Sequence, residues 1–511
     1  MDVVAIHAGS KPDQPALIEG DRVLTWRDYV EQRNRLGHSL RALGISRGER
    51  MVVWSGNSIG YLLAASAAGA IGCVSVPMNH RLTAGEAAYI FDDSDAAGVF
   101  LGDSFLAVAD EVRRSGRAPG VRHWILLGQE RRPWATPVDD LIAAGRPEPV
   151  PREDGASGLG GSMTYTAGTT GKPKGALRVN IDPAVALAWL KALNLADPDQ
   201  VHLVAGPLYH SAPGAFAYLT QVMGGTCVIM PKFDAEEALR LIERHRCTST
   251  FMAPILLKRI LTLGKEVRSR YDVSSMRSLV VGGAPCPNPV KEAALEFFGP
   301  VLYEFYGSSE LGINTVLRPE DMLRKPGSCG RPVGIEIAIL DAEGNPVPTG
   351  EPGELYVRRY GGMFEHYHKR PEATAEATRG EWLSVGDVAY LDDEGFVYIC
   401  DRKRDMVISG GVNIYPAEIE DVLHRHPAVA DVAVFGVPDD EWGERVHAAV
   451  LPQPGREVTA EEIQAFARRH LADYKVPREV SFHGEFPRDS AGKLVKRLLR
   501  EPYWEGRAAR V

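Results

Sequence analysis

The stretch of sequence with the richest chemistry is residues 164–178, which read TYTAGTTGKPKGALR. Its glycines let backbone N–H groups turn toward an anion, while its hydroxyl and ammonium groups can donate hydrogen bonds to anionic oxygens. This combination favours phosphate binding. The segment is not the mononucleotide P-loop, because only two residues separate Gly168 from Gly171 and Pro173 follows Lys172. An ordinary surface loop of the same composition remains the alternative.

Alternating strands and helices are predicted for the part of the chain that must position this loop. Residues 225–230 and 247–254 are β-rich, and residues 234–245 between them have apolar residues at helical spacing. Further strands end in the segments GGAP and YGSSE, within 278–287 and 300–310. The alternation predicts a mostly parallel α/β sheet. Since ligands bind beyond the carboxyl ends of such strands, these two glycine-containing ends are expected to border a site.

A second type of structure is predicted after about residue 330. Short antiparallel strands separated by Asp, Gly and Pro turns come first, and the charged run DRKRD at 401–405 then interrupts the pattern. Beyond it, helices with a proline start and a capping box indicate a small α+β unit. We therefore predict two domains, residues 1–401 and 402–511.

The composition excludes several classes of function. The 511-residue chain is 44% hydrophobic and carries a formal net charge of −9, so no basic surface for nucleic acid is expected. Its six cysteines form no C-x-x-C pair, which argues against zinc and disulfide frameworks and suits a reducing compartment. The start of the chain has no signal-peptide pattern. The uncharged run 61–78 is predicted to be a buried helix leading into a strand rather than a membrane span. We expect a cytoplasmic enzyme whose oligomeric state the sequence leaves open.

Several motifs occur together in a fixed order along nearly the whole chain. They read VSVPMNHRL, YTAGTTGKPKG, YGSSE, SVGD, DRKRDMVISGGVNIYPAEIE, DYKVP and PRDSAGKLVKRLLR. In order and spacing they resemble the adenylate-forming acyl-CoA synthetase family, which belongs to one superfamily with non-ribosomal adenylation domains and luciferases. The resemblance implies an α/β fold, with a large N-terminal domain of parallel-rich sheets, helices and a small β-barrel-like subdomain. It also implies a small, mobile α+β C-terminal domain.

The activity that the resemblance implies is acyl-CoA ligation in two half-reactions. An apolar carboxylic acid reacts with ATP to give acyl-AMP and pyrophosphate, and the acyl group then passes to the thiol of coenzyme A, with Mg²⁺ assisting. One alternative is a ligase that acts mainly on preformed acyl-AMP, and another loads the phosphopantetheine of a carrier protein. A non-catalytic scaffold and a luciferase-like oxygenase are the remaining alternatives.

The resemblance also implies nucleotide-binding residues. Tyr306 is similar to the aromatic residue that stacks on adenine, Asp387 to the residue that accepts the ribose hydroxyls, and Arg402 to a second nucleotide contact. The full set is Thr166, Thr169, Thr170, Gly171, Lys174, Gly282, Gly283, Ala284, Tyr306, Gly307, Ser308, Ser309, Asp387 and Arg402.

Catalytic, metal and hinge roles follow from the same motifs. Lys493 resembles the lysine that bridges the carboxylate and the α-phosphate, and Glu310 resembles the Mg²⁺ ligand. Gly410 and Gly411 resemble the strand that lines the pantetheine tunnel, and Arg404 stands at the position of the domain hinge. His210 resembles a residue at the mouth of the acyl pocket.

The predicted acyl pocket consists of His210, Phe216 and Gly312, which indicates an apolar acyl group. Structural alternatives exist for single residues: a satisfied core histidine for His210 and a solvated lysine for Lys493.

One position departs from the family pattern. Ala167 stands where the family usually has a hydroxyl residue. Loss of one donor to the triphosphate would cost about 1 kcal/mol or more. The hypothesis that the chain favours supplied acyl-AMP over ATP and free acid rests on this departure, and compensation by a neighbouring N–H group or water is its alternative.

Overall fold

Twenty-eight strands and sixteen α-helices make up the described part of the chain. The computed structural model describes residues 2–151, 161–166, 173–179, 182–403, 405–409, 412–439, 441–489 and 492–505. The strands are β1 (Pro15–Glu19), β2 (Arg22–Thr25), β3 (Arg50–Trp54), β4 (Val74–Pro77), β5 (Ala96–Leu101), β6 (His123–Leu126), β7 (Thr136–Pro137), β8 (Ser162–Thr166), β9 (Lys174–Arg178), β10 (Val201–Val204), β11 (Thr226–Ile229), β12 (Ser249–Met252), β13 (Ser278–Gly282), β14 (Leu302–Ser308), β15 (Gly312–Leu317), β16 (Arg331–Pro332), β17 (Ile337–Leu340), β18 (Gly353–Arg358), β19 (Phe364–Tyr367), β20 (Thr378–Arg379), β21 (Trp382–Leu383), β22 (Asp387–Leu391), β23 (Val397–Arg402), β24 (Val407–Ser409), β25 (Val412–Ile414), β26 (Val429–Asp439), β27 (Gly443–Pro452) and β28 (Glu479–Phe482).

The helices lie between these strands for most of the chain. They are α1 (Val3–Ser10), α2 (Trp26–Ala42), α3 (Ile59–Ala70), α4 (Ala84–Asp93), α5 (Leu106–Ser115), α6 (Val138–Ala144), α7 (Pro183–Ala192), α8 (Ser211–Met223), α9 (Ala235–His245), α10 (Pro254–Leu261), α11 (Lys265–Arg268), α12 (Asn288–Phe298), α13 (Pro371–Glu376), α14 (Pro416–Leu423), α15 (Ala460–His470) and α16 (Lys496–Trp504). The helix and strand predicted within 61–78 are present as α3 and β4. No helix in the described ranges has the length and apolar character needed to cross a membrane.

Two large sheets, each parallel over most of its width, form the N-terminal part. The first has the order β16-β15-β14-β13-β12-β10-β11-β1-β2, in which β14 to β1 run parallel and the edges are antiparallel. The second has the order β19-β9-β8-β4-β3-β5-β6-β7. This arrangement confirms the predicted parallel α/β architecture.

A core of helices and strands joins the two large sheets. Trp26, Leu36 and Leu63 on α2 and α3 pack in one buried cluster with Val53 of the second sheet and Cys227 of the first. Helix α2 begins at a capping box formed by Thr25 and Asp28, which satisfies two N-terminal backbone donors. Burial on both sides of these helices fixes the two sheets in one arrangement, so their strand ends can contribute to a single site.

Two smaller sheets follow along the chain. The third is antiparallel, with the order β20-β21-β18-β22-β23 and β17 paired to β18, as expected for the β-rich segment after residue 330. The fourth has the order β25-β24-β27-β26, with β28 parallel to β27. Its strands pack with α14 and α15 around Ile419, Val434 and Ile463. Helix α15 starts at the predicted capping box of Thr459 and Glu462. The last part of the chain is therefore the expected smaller α+β unit.

Candidate active site

Glu310 connects the ends of strands from the two large sheets. It follows β14, is buried, and its Oε1 accepts hydrogen bonds from Thr166 Oγ1 and Tyr367 Oη, each at 3.0 Å. Thr166 ends β8, and Tyr367 ends β19. Residues 167–172, the centre of the predicted phosphate loop, lie outside the described residues, but both strands that flank them are described. The loop therefore begins beside the YGSSE segment, as the motifs predict.

The turn after β14 depends on serine and glycine. Ser308 Oγ accepts hydrogen bonds from the backbone N–H groups of Glu310 at 3.2 Å and Leu311 at 3.0 Å. A Cβ on Gly307 would stand 2.0 Å from the carbonyl oxygen of Gly312, which leaves no room for any other residue. Ser309 Oγ lies 2.7 Å from Ser211 Oγ at the start of α8. These contacts hold the Glu310 carboxylate in place.

Tyr306, Asp387 and Arg402 form a polar group between the first and third sheets. Tyr306 Oη donates to Asp387 Oδ2 at 2.5 Å, and Arg402 Nε lies 3.4 Å from Asp387 Oδ1. Asp387 is buried, and register pairs it with Arg402 across β22 and β23. Burial and the neighbouring Asp387 carboxylate raise the pKa of Tyr306 well above its ordinary value, so the phenol stays protonated and remains a donor.

Lys493 extends across the end of β13. A Cβ built on Gly283 would lie 3.5 Å from Lys493 Cε and 3.7 Å from Nζ. The loop that carries the lysine closes on itself, since the Asp489 N–H donates to the Lys493 carbonyl at 2.8 Å and the Lys493 N–H to Asp489 Oδ1 at 2.9 Å. The predicted strand end at Gly282, Gly283 and Ala284 thus faces the predicted catalytic lysine.

The electrostatic surroundings of Lys493 contain charges of both signs. The residue as a whole is exposed, but its ammonium end lies among protein atoms, and this burial lowers the pKa of Lys493. The Arg402 cation acts in the same direction, whereas the Asp489 and Glu310 carboxylates raise the pKa. Because solvent still reaches the side chain, its screening limits the shift. An anion bound at this point would stabilise the charged form of Lys493.

His210 is the residue immediately before α8. Its Nε2 is buried and has no hydrogen-bond partner among the described residues, and its ring lies against Tyr209 with 4.2 Å between centroids. Burial lowers the pKa of His210 to about 3, helped by the positive charges of Lys493 and His80. The imidazole is thus neutral across the physiological pH range and cannot supply a positive charge to a substrate carboxylate.

An apolar cluster lies on one face of the first sheet beneath α7 and α8. Phe216 of α8 stacks on Phe251 with 5.2 Å between ring centroids, and Phe305 lies 5.8 Å from Phe216. At Gly312 a Cβ would stand 3.1 Å from the ring of Trp189 and 2.3 Å from Tyr360 Oη. Phe216 and Gly312, predicted for the acyl pocket, are thus both associated with this cluster, and His210 begins the helix that covers it.

Predicted residues of the loop, the tunnel and the hinge form a separate group. The loop residues Ala167, Thr169, Thr170 and Gly171, the tunnel residues Gly410 and Gly411, and the hinge residue Arg404 all lie outside the described residues, so their predicted roles stay predictions. Lys174 is described, and its Nζ lies 5.2 Å from the centre of the Tyr367 ring.

Three residues of the site were not predicted from the sequence. Tyr367 contacts both Glu310 and Lys174, but nothing in the surrounding segment FEHYHKRP marks it out. Trp189 lies on α7, whose apolar residues predict only packing. Asn314 carried a usable signal, because it is an amide in the β-rich run GINTVL.

Oxygen ligands suitable for a hard cation are present at Glu310. Within the described ranges, no three His, Cys, Asp or Glu side chains come together as a metal-binding group. Mg²⁺ is commonly held by one or two carboxylates with substrate phosphates and water completing its octahedron. The Glu310 carboxylate, bonded to Thr166 at the start of the predicted phosphate loop, fits this kind of site.

Comparison with protein families matches most of the chain. Residues 4–368 match the family described as AMP-binding enzyme, and residues 418–493 match the AMP-binding enzyme C-terminal domain. The two matches agree with the family resemblance that the ordered motifs indicated.

Individual relatives and structures give the same result. A feruloyl-CoA synthase of an Amycolatopsis species is 35% identical, covering 97% of this chain and 97% of its own. The structure of an amide bond synthetase from Marinactinospora thermotolerans has a TM-score of 0.86 and 30% identity over 98% of this chain and 99% of its own. The o-succinylbenzoate CoA synthetase of Bacillus subtilis, solved with an acyl-adenylate intermediate, has a TM-score of 0.83 and 28% identity, over 100% and 98%.

Proposed function

The chain belongs to the AMP-binding enzyme family, and from this premise we propose that it is an AMP-forming acyl-CoA ligase. In the first step a carboxylate oxygen attacks the α-phosphorus of ATP, and the bond to the β-phosphate oxygen breaks. Acyl-AMP and pyrophosphate result. In the second step the thiol of coenzyme A attacks the acyl carbonyl, loses its proton, and releases AMP.

The observation that carries this proposal is the position of Lys493. Its ammonium lies at the end of β13 beside Gly283, close enough to Glu310 and Arg402 for their charges to affect its pKa. Adenylation brings two anions together, so a cation between them lowers the barrier most where charge builds up on the transferring phosphoryl group. Because Lys493 lies on a loop of the C-terminal part of the chain, it can supply that charge for one step and be withdrawn for the next.

In this proposal Glu310 is the residue that holds the metal ion. Mg²⁺, when bound, neutralises phosphate charge, and Glu310 would hold it together with phosphate oxygens. The hydrogen bonds from Thr166 and Tyr367 keep the carboxylate oriented. Thr166 and Lys174, at the two ends of the predicted phosphate loop, would contact the same phosphates.

Recognition of the nucleoside is assigned to the Tyr306–Asp387–Arg402 group. Asp387 is buried beside Arg402, and its carboxyl oxygens can accept hydrogen bonds from ribose hydroxyls. The Tyr306 ring, fixed through its hydroxyl, offers a flat apolar surface for a base. The strand end at Gly282, Gly283 and Ala284 would line the base.

The thiol step requires a different arrangement of the last part of the chain. We propose that residues 402–511 move as a domain about Arg404, so that Lys493 leaves the site and the glycine strand near Gly410 and Gly411 approaches it. Bare backbone at two successive positions suits the passage of a narrow pantetheine arm. The neutral His210 at the start of α8 would border the acyl carbonyl without adding charge to it.

Three kinds of molecule are considered as the acceptor of the acyl group. Free coenzyme A is favoured by the similarity to a feruloyl-CoA synthase over 97% of both chains. A carrier-protein phosphopantetheine uses the same thiol chemistry, and the structural similarity to an amide bond synthetase makes an amine a third acceptor to examine.

The test is a screen of carboxylic acids with the purified protein, ATP and Mg²⁺. Pyrophosphate release is followed first, and product formation is then measured with coenzyme A, with a phosphopantetheinylated carrier protein, and with simple amines. Synthetic acyl-AMPs run alongside separate the two half-reactions and test the hypothesis based on Ala167. We expect pyrophosphate release with at least one acid and thioester formation with coenzyme A. Thioester formation faster from acyl-AMP than from acid and ATP would support the Ala167 hypothesis, and equal or slower formation would reject it.

A further inference from the structure

A buried polar residue lies in the apolar cluster that would hold the acyl group. Asn314 is 0% exposed, and neither its Oδ1 nor its Nδ2 has a hydrogen-bond partner in the described part of the protein. An unpaired buried amide is costly, and an apolar side chain of similar volume would avoid the penalty. The amide therefore calls for an explanation beyond packing.

Asn314 lies within β15, and the residues around it belong to the apolar cluster. Its neighbours Ile313 and Val316 both pack in the apolar cluster, and Val316 is paired in register with Phe305 of the same cluster. The Asn314 carbonyl accepts a hydrogen bond at 3.1 Å from Val333, which also packs there. A β-bulge falls at this point, since Tyr306 pairs with Thr315 and Gly307 with Ile313, so Asn314 is the extra residue of β15. Asn314 is therefore buried between residues that pack in the apolar cluster beneath α7 and α8.

A second unpaired polar atom belongs to the same cluster. The Trp189 ring is 4% exposed, and its Nε1–H has no partner among the described residues. The ring lies next to Gly312, two residues before Asn314, where the lack of a side chain leaves room. Two segments, α7 and β15, therefore each place an unsatisfied polar group at one apolar region.

From these observations we infer that the acid substrate carries a hydroxyl, amino or amide group on an otherwise apolar body, and that Asn314 and Trp189 recognise it. The inference rests on the proposed acyl-CoA ligase function. Asn314 offers both an acceptor and a donor, whereas Trp189 offers a donor only. A substrate group able to donate and accept at once satisfies both side chains. An acid without such a group leaves them unpaired, or keeps a water there that occupies substrate space.

This arrangement predicts strong discrimination between matched acids. A site built to bond a substrate hydroxyl or N–H rejects the analogue that lacks it far more strongly than an apolar pocket rejects an added methylene. Suitable pairs are benzoate with the hydroxy- and aminobenzoates, and cinnamate with the hydroxycinnamates, each as ortho, meta and para isomers. We expect the best substituted member of at least one series to exceed its parent in kcat/KM for pyrophosphate release by about tenfold or more.

The variant that tests the role of Asn314 is Asn314→Leu, which keeps the side chain branched at Cγ and removes the amide. We expect the preference for the substituted acid to fall to within about threefold of unity, while the thermal midpoint of unfolding rises because the unpaired amide is gone. The matched control is Ile313→Leu, which changes packing in the same cluster without touching a polar group and should retain the preference. Trp189→Phe should reduce the preference by a smaller factor.

Two results would overturn the inference. One is a wild-type protein that activates every unsubstituted parent at least as well as its substituted derivatives. The other is an Asn314→Leu variant that folds and adenylates with an unchanged preference. Either result leaves the proposed function intact, because acids are still activated. Failure of the function itself looks different: no acid in the panel, substituted or not, releases pyrophosphate.

Discussion

At the scale of single residues, the site is an arrangement of charges around a region that an anion would occupy. The Glu310 carboxylate is held by two hydroxyl donors, the Asp387 carboxylate by Tyr306 and Arg402, and the Lys493 ammonium lies near both groups. Of these residues, Lys493 alone lies beyond the predicted hinge at Arg404, since Arg402 still belongs to strand β23. Its removal should therefore affect one half-reaction far more than the other.

The first prediction concerns Lys493→Ala. We expect pyrophosphate release from acid and ATP to fall by about 10²–10³-fold, the usual effect of removing one preorganised charge or donor from a transition state. Thioester formation from supplied acyl-AMP should stay within about threefold of wild type, because the phosphoryl transfer is then already complete. Both rates are measured on the same preparation.

The control for this prediction is Arg497→Ala. Arg497 is an exposed cation on the neighbouring helix α16, paired with Glu501, so its loss changes net charge equally without touching the cleft. Arg497→Ala should leave both rates near wild type. An equal loss of both half-reactions in Lys493→Ala would show that the lysine has another role.

At the scale of elements, the site depends on strand ends that approach closely enough to exclude side chains. Gly307 and Gly312 face each other across the turn between β14 and β15, and Gly312 has φ of +73°, a conformation that other residues adopt at a cost of about 1–3 kcal/mol. A Cβ at the same glycine would meet both Trp189 and Tyr360, whose rings pack edge to face 5.9 Å apart in the proposed acyl region. The absence of a side chain at Gly312 is therefore required both by the turn between β14 and β15 and by the proposed acyl pocket.

The second prediction compares Gly312→Ala with Gly299→Ala. Both glycines have positive φ, but a Cβ at Gly299 has nothing within 4 Å, whereas at Gly312 it would stand 2.3 Å from Tyr360 Oη. Each variant should lose about 1–3 kcal/mol of unfolding free energy from backbone strain, and only Gly312→Ala should also lose acid activation. The measurements are urea unfolding and KM for the acid.

A double variant tests whether the contact between the new methyl group and Tyr360 Oη causes the loss of acid activation. Tyr360→Phe removes the hydroxyl that the new methyl group would meet, so Gly312→Ala/Tyr360→Phe should recover part of the acid affinity. If Gly299→Ala and Gly312→Ala have the same effect on KM, the close approach at Gly312 is unrelated to the acyl group.

Much of this level of organisation could be predicted from the sequence. The predicted strands in 225–230, 247–254, 278–287 and 300–310 are β11, β12, β13 and β14, and the helix in 234–245 is α9, because hydrophobic periodicity is a local property. The segments GGAP and YGSSE do end neighbouring parallel strands.

What could not be predicted are contacts between distant segments. Tyr367 reaches Glu310 only because β19 pairs with β9 in the second sheet, and nothing local records that pairing. The amide of Asn314 stands out in the run GINTVL, but the apolar cluster beside it could not be predicted, since that cluster depends on where α7 and α8 pack.

At the scale of the whole molecule, the last part of the chain rests on the first through specific contacts. Lys258 Nζ on α10 donates to the Ala430 carbonyl of β26 at 2.7 Å, and Lys493 lies over Gly283. This arrangement suits adenylation, since it keeps the predicted catalytic lysine in the cleft. The proposed thioester step needs these contacts to break.

The third prediction is that holding this arrangement blocks the second step alone. A double variant, Lys258→Cys/Ala430→Cys, is joined by a short bis-maleimide. Of the six native cysteines, five are buried and Cys400 is partly buried, so labelling is directed to the new pair. Pyrophosphate release in the first turnover should persist, and thioester formation from acyl-AMP should fall by about tenfold or more. The single variants treated with the same reagent should behave like wild type, and an unimpaired second step in the cross-linked protein would contradict the proposed rotation.

The most direct test of the account follows an oxygen atom from acid to nucleotide. An acid selected from the screen is labelled with ¹⁸O in its carboxylate and incubated with the protein, ATP, Mg²⁺ and coenzyme A. If the carboxylate attacks the α-phosphorus, each AMP carries one ¹⁸O atom, and thioester, AMP and pyrophosphate form in equal amounts. Label in phosphate, production of ADP, or the absence of thioester from every acid tested would contradict it.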